Sequence, residues 1–319
     1  MKAMIEKKKV DITIEKLETL LTASQEEKGN AKPTISYYQR TFLKVYKFFG
    51  DRQSVSRLAE EGIDGKWKAW LASQDINDQT IASYMRGWRV IVYFAADKGY
   101  IPARKITIKE LEIPIHDCYT DRELDKLLVK PNPDNFTEYR NWVIINYLLA
   151  TANRVASIVA LNVEDIDTES GYIDVLRQKN KTPIVIPAIK KLLPILKEYI
   201  AYYRTNEDGT PMYDSQLFCN RYGEKLTEGG LKKTIAEYNR SRGVDKTSIH
   251  LFRHSFAKRW IMANGDLTSL QRILGQKSLK MVMHYANLYA PDLKEKAEKY
   301  AALANTRIKS GKTLQRRIV

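Results

Sequence analysis

The chain has 319 residues, enough for about two domains of ordinary size, and its 44% hydrophobic content excludes a disordered protein. Its 53 Lys and Arg against 38 Asp and Glu leave a formal charge of +15, which favours a polyanionic partner, nucleic acid before a membrane surface. No stretch approaches the roughly 20 apolar residues of a spanning helix, and the Lys-rich first ten residues lack the apolar core of a secretory signal. Two cysteines, Cys118 and Cys219, make neither a disulfide framework nor a zinc site, so a reducing cytoplasm is expected, with no metal and no cofactor.

The first hundred residues read as helices. Ile35, Tyr38, Phe42, Val45, Tyr46 and Phe49 recur at steps of three and four, one apolar helical face, while Arg40, Lys44 and Lys47 lie on the other. A second helix is predicted from about Asp78 to Lys98. It buries Ile81, Tyr84, Trp88, Ile91, Val92 and Ala95 and leaves Arg86 and Arg89 outside the stripe. The stripes are core. Two basic faces in one small domain point to phosphate contact, where a single one would be ordinary solvated surface.

Residues 105–119 have an irregular pattern and hold Pro114, with Pro102 just before them, so they are expected to link a domain over 1–104 to one over 120–319. Thr120 and Glu123 have capping-box spacing and should start a helix. Another helix is predicted over about 138–152 on Trp142, Ile145 and Leu149. Strands are predicted at 172–176 and 184–187, flanking the polar turn 178–182, which carries Lys179 and Lys181. A further short strand at 217–219 and a turn at 220–223 follow, and from Thr227 onward the pattern is mostly helical. The last eleven residues hold Lys309, Lys312, Arg316 and Arg317 and no acid: a solvated arm, a DNA contact or a docking segment.

The residues that could carry chemistry lie in the second half. Arg154 stands in an apolar run, where a guanidinium is costly unless it meets an anion; a salt bridge to Glu164 or Asp165 is the plain alternative. Lys179 sits at a hairpin tip, and Lys181 is equally placed on that argument. His250 and Arg253 are three apart and share a helical face. His254 lies four after His250, but a metal pair is discounted because no third ligand cluster and no HExxH motif accompanies it. Tyr285 supplies a hydroxyl that can act as a nucleophile.

Taken in order, these residues resemble the tyrosine recombinases of the phage integrase family. That family has an Arg after an apolar helix, a Lys in a β-hairpin, His-x-x-Arg, a Leu-Gly-His turn, and a Tyr nine residues after the last His. The chain has Arg154, Lys179, His250 with Arg253, Leu274-Gly275, and Tyr285 at the matching distance. Four positions depart. Gln276 stands for the turn's histidine, with Lys277 beside it; Ala152-Asn153 stand where Gly-Leu is usual; and Ser157 stands for an acid. Glutamine can donate a hydrogen bond to a phosphate oxygen but cannot act as acid or base.

The resemblance implies a mainly α fold with a small β-sheet (α+β). It implies an N-terminal helical core-binding, SAM-like domain and a C-terminal catalytic domain, closing as a C-shaped clamp on double-stranded DNA. It implies cleavage and rejoining of strands through a 3′-phosphotyrosyl bond to Tyr285, with Arg154 and Arg253 neutralising the phosphate. Lys179 would protonate the leaving oxygen, His250 accept or relay the tyrosine proton, and Gln276 add a hydrogen bond. Arg40, Lys44, Lys47, Arg86, Arg89, Lys181 and Lys277 are the expected DNA contacts. It further implies a homo-oligomer on DNA, dimer or synaptic tetramer, in the cytoplasm of a bacterial host of a phage or mobile element. The alternative is a recombinase-fold repressor that binds a DNA sequence without cutting it, a reading that rests on Gln276, Ala152-Asn153 and Ser157.

Overall fold

The computed structural model describes residues 11–50, 52–109, 111, 117–175, 184–276, 278, 279, 282, 283 and 285. The chain divides into two compact units, Met1–Pro114 and Ile115–Val319. It is mostly helical with one small three-stranded sheet.

The first unit holds α1 (Ile14–Glu27), α2 (Lys32–Phe49), α3 (Ile63–Ala72) and α4 (Asp78–Asp97). Side-chain caps start two of them: Thr13 Oγ1 accepts from the Lys16 N–H, and Asn77 Oδ1 from the Thr80 N–H at 2.9 Å. The apolar stripe of α2 faces the core through Phe42 and Val45, both fully buried, with Tyr38, Tyr46 and Phe49 packed at its edge. From α4 come Trp88, Ile91, Val92 and Ala95, and Trp67 of α3 stacks against Trp88 with ring centroids 5.2 Å apart. Gly87 sets the approach of α2 to α4. A Cβ there would lie 2.5 Å from Thr41 Oγ1, so any larger residue would push the helices apart. Arg104 donates to both oxygens of Asp64, which also accepts from the Trp88 indole at 2.7 Å.

The second unit contains α5 (Asp121–Leu127), α6 (Phe136–Thr151), α7 (Val155–Ile158), β1 (Ile166–Asp167), β2 (Tyr172–Val175), β3 (Ile184–Pro187), α8 (Leu192–Tyr203), α9 (Glu228–Ser241), α10 (His250–Met262) and α11 (Leu267–Ile273). The Thr120–Glu123 capping box opens α5, with both reciprocal bonds formed. Apolar nearly all round, α6 is the central helix; Tyr139, Val143, Ile144, Ile145, Tyr147 and Leu148 are all buried as it packs on α8, α9 and α10. The sheet runs antiparallel in the order β1-β2-β3, with Ile173 opposite Ile186, both inward.

Two local expectations change. Residues 217–219 form no strand: Cys219 makes one bridge to Lys225 and Gln216 one to Asn162. Asn220 dominates there instead, its Oδ1 accepting from the Tyr222 and Glu224 N–H groups to close a turn that outcompetes further pairing. Nor is the segment expected as linker free chain throughout. Ile106 is buried in the core of the first unit, and Tyr119 is buried in that of the second. Among the described residues no helix is long and apolar enough to cross a membrane.

Candidate active site

The site is built from three helix ends that converge. The first is the C-terminus of α6. Ala152 closes that helix in the left-handed conformation, φ 53°, where an L-residue other than Asn or Gly is strained. The sharp turn sends Asn153 inward, where its amide donates to the Tyr147 hydroxyl at 2.6 Å, and presents Arg154 at the start of α7. Arg154 is half-buried. The alternative partner Asp165 is engaged by a capping box, accepting from the Asn162 N–H at 2.8 Å.

The second is the C-terminus of α11. The Gly275 N–H bonds the Arg272 carbonyl and the Gln276 N–H bonds the Gln271 carbonyl, with Gly275 at φ 55°. This is the Schellman closure, and it is what a Leu-Gly pair at a helix end encodes. It aims the Leu274 and Gly275 carbonyls outward from the helix end, where the dipole is negative. Gln276 is half-buried, and its Oε1 is buried with no hydrogen-bond partner among the described residues.

The third is α10, whose Arg253 joins the other two. Its guanidinium donates to the Ala152 carbonyl at 2.7 Å and the Leu274 carbonyl at 2.6 Å, gripping the ends of α6 and α11 together. Arg154 reaches the Gly275 carbonyl at 3.3 Å. Burial, and then the charge of Arg154, push the Arg253 pKa down to about 10. Burial likewise pushes Arg154 down. Two guanidiniums brought together in a partly desolvated place repel each other, and an anion between them would relieve that repulsion.

Tyr285 completes the group. Its ring is buried at 6% exposure in a small cluster with Ala152, Ala257, Leu270, Leu274 and Val282. Its hydroxyl lies 3.0 Å from Nδ1 of His254. Burial raises the phenol pKa, against the pull of Arg253 and Arg154. His250 is exposed at the first turn of α10; partial desolvation, then Lys232, Arg253 and Arg154, push its pKa down.

The structure therefore brings Arg154, Arg253, Tyr285 and the Leu274–Gln276 turn together, with His250 on the helix that carries Arg253. Lys179, Lys181 and Lys277 lie outside the described residues. In the first unit Arg40, Lys47 and Arg86 are exposed, and Arg89 is half-buried. Lys44 stands over the Tyr84 ring, 5.8 Å from its centroid. The residue that sequence reasoning passes over is His254. Its spacing from His250 signals a shared helical face, but only the fold shows that it meets Tyr285.

Comparison with known proteins bears on this geometry. Residues 119–291, more than half the chain, match the sequence model of the phage integrase family. The chain is 26% identical over 289 residues to tyrosine recombinase XerC of Thermodesulfovibrio yellowstonii, covering 86% of this chain and 91% of that one. It is also 26% identical over 285 residues to tyrosine recombinase XerD of Staphylococcus haemolyticus, covering 88% and 96%. Among solved structures, the Tn1549 transposon integrase with circular intermediate DNA superposes with a TM-score of 0.68 at 18% identity, covering 91% of this chain and 100% of that chain. XerH recombinase bound to palindromic difH gives 0.64 at 22% identity, covering 89% and 84%.

Proposed function

The chain belongs to the phage integrase family of tyrosine recombinases, and from that premise we propose that it binds double-stranded DNA and cleaves and rejoins its strands through Tyr285. The observation that carries the reading is the convergence of Arg154, Arg253 and the buried Tyr285 at the junction of α6, α10 and α11. The relatives named above are recombinases, and the solved neighbours carry DNA, which supports DNA as the substrate.

The chemistry follows from the groups. The Tyr285 oxygen attacks phosphorus, the P–O5′ bond breaks, and the 3′-phosphate remains on the tyrosine as an ester. The bond energy is kept in that ester, so a 5′-hydroxyl can reverse the step with no nucleotide cofactor. Arg154 and Arg253 neutralise the nonbridging oxygens in a partly desolvated setting, and losing one such preorganised charge typically costs on the order of 3 kcal/mol in the barrier. Gln276 would donate a neutral hydrogen bond from its amide nitrogen to a phosphate oxygen. Lys179, by resemblance, protonates the leaving 5′ oxygen. His250, solvent-facing one turn before His254, relays a proton onward.

Arg40, Lys44, Lys47, Arg86 and Arg89 on the first unit would hold the backbone, with Lys181 and Lys277 as further contacts on the second. If about six phosphates are neutralised, affinity falls roughly 10³-fold between low and physiological salt. Two or four copies would assemble on paired sites.

The test is covalent capture. Genomic fragments of the encoding organism are recovered on the protein, nicked within the bound site, and incubated with wild type and Tyr285→Phe. A detergent-resistant protein–DNA band with wild type alone is expected. Tight, specific binding with no band from either protein would instead identify a regulator that keeps the fold and not the reaction.

A further inference from the structure

Resting on that reading of Tyr285, we propose that His254 is the group that removes the tyrosine proton, accepting it at Nδ1 as the tyrosine oxygen bonds to phosphorus. The hydroxyl lies 3.0 Å from Nδ1, direct hydrogen-bond reach for a general base. The ring centroids are 5.6 Å apart and tilted by 50°, so the histidine meets the hydroxyl end of the phenol rather than its face.

The backbone around His254 is fixed on both sides. Arg253 before it is clamped between the carbonyls of Ala152 and Leu274. Ser255 after it is buried and accepts from the Tyr119 N–H at 2.8 Å. Anchored residues on both sides fix where the helix carries the imidazole, part of the preorganisation a proton acceptor requires.

The phenol needs such an acceptor. It is buried in an apolar cluster that opposes its ionisation. His250 is the other imidazole on this helix, but it is exposed and Lys232, Arg253 and Arg154 all oppose its gaining a proton. The step balances: Tyr285 loses its proton to His254 Nδ1, the tyrosine O–P bond forms, the P–O5′ bond breaks, and the leaving oxygen takes a proton from the acid opposite. On rejoining, the imidazolium returns its proton to the departing phenolate.

Two measurements test this, one on the free protein and one on DNA. In histidine ¹⁵N spectra of the DNA-free protein, Nδ1 of His254 is expected unprotonated and accepting, with a shift that changes on Tyr285→Phe. A signal indifferent to that substitution overturns the contact whatever the protein does to DNA. With the nicked duplex recovered on wild type, His254→Ala should slow covalent-complex formation by about 10²-fold or more while leaving duplex affinity unchanged. Added imidazole should restore part of the rate in proportion to its concentration. His254→Asn puts an amide where Nδ1 was, can hold the hydroxyl but cannot take its proton, and should be as slow as alanine; it also carries the test should the alanine variant not fold. An asparagine variant that cleaves at the wild-type rate overturns the proton transfer and leaves His254 a positioning residue. An alanine variant as fast as wild type overturns both roles and leaves Tyr285 as nucleophile. Wild type that forms no covalent complex while the ¹⁵N contact holds places the failure in the reading of Tyr285, and this step falls with it.

Discussion

The Arg253 guanidinium donates to the Leu274 carbonyl oxygen at 2.6 Å, so one charged side chain of α10 holds the final turn of α11 in place. No acid ion-pairs with Arg253 among the described residues; it donates to two carbonyl dipoles, and Arg154 stands close enough to depress its pKa.

An anion bound there would relieve the repulsion and stabilise the fold. In sulfate, compared with chloride at equal ionic strength, wild type should gain about 1.4 kcal/mol at ten times the dissociation constant, from mass action alone. Arg154→Ala should lose that sulfate-specific gain in a thermal melt. Equal gains in both proteins would mean that the two arginines do not form an anion site.

Gly265 is a second control on the same corner. A Cβ at this position would lie 2.3 Å from the Trp260 indole nitrogen, which donates to the Asp266 carbonyl at 2.9 Å. Gly265→Ala should therefore displace a rigid ring and cost about 1–3 kcal/mol by denaturant titration. Combining it with Trp260→Leu should cost less than the sum of the two single changes. Strict additivity would show that the indole is not what the methyl meets.

Asp64 gives a pH prediction for the first unit. Burial raises its pKa, but the Arg104 and Trp88 hydrogen bonds and the Arg104 charge outweigh that and hold the carboxyl below its ordinary value. A depressed folded pKa means stabilisation that is complete above the unfolded value of about 4 and is lost as pH falls through the folded value. The Trp88 indole N–H resonance should therefore shift, and the first unit loosen, below about pH 4. Asp64→Asn should remove that acid step; an unchanged acid transition in the variant would rule Asp64 out as its source.

Much of this was legible in the sequence where it rests on periodicity. The stripes of α2 and α4 and the course of α6 follow from apolar spacing, and the Thr120 cap from one local motif. β1 escaped because two residues carry no period. The order Arg154, His250, Arg253, Leu274-Gly275, Tyr285 carries the resemblance to the family. What spacing does not carry is which groups meet. Arg253 bridges two helix ends that are 122 residues apart in the chain, Ala152 and Leu274. His254, discounted as half of a metal pair, proves to be the hydroxyl's neighbour. Ala152 in place of glycine gives no hint in the sequence that its backbone is still left-handed.

The cover over Tyr285 has a consequence for a protein so strongly basic. Charge alone lets it hop and slide over arbitrary DNA. On the proposed function, a nucleophile at 6% exposure, held under Ala152, Leu274 and Val282, would leave such passing encounters unscarred. Cutting would then depend on the right site loosening that small cluster, and the fidelity of the proposed reaction would be set by a few methyl groups as much as by the bases read.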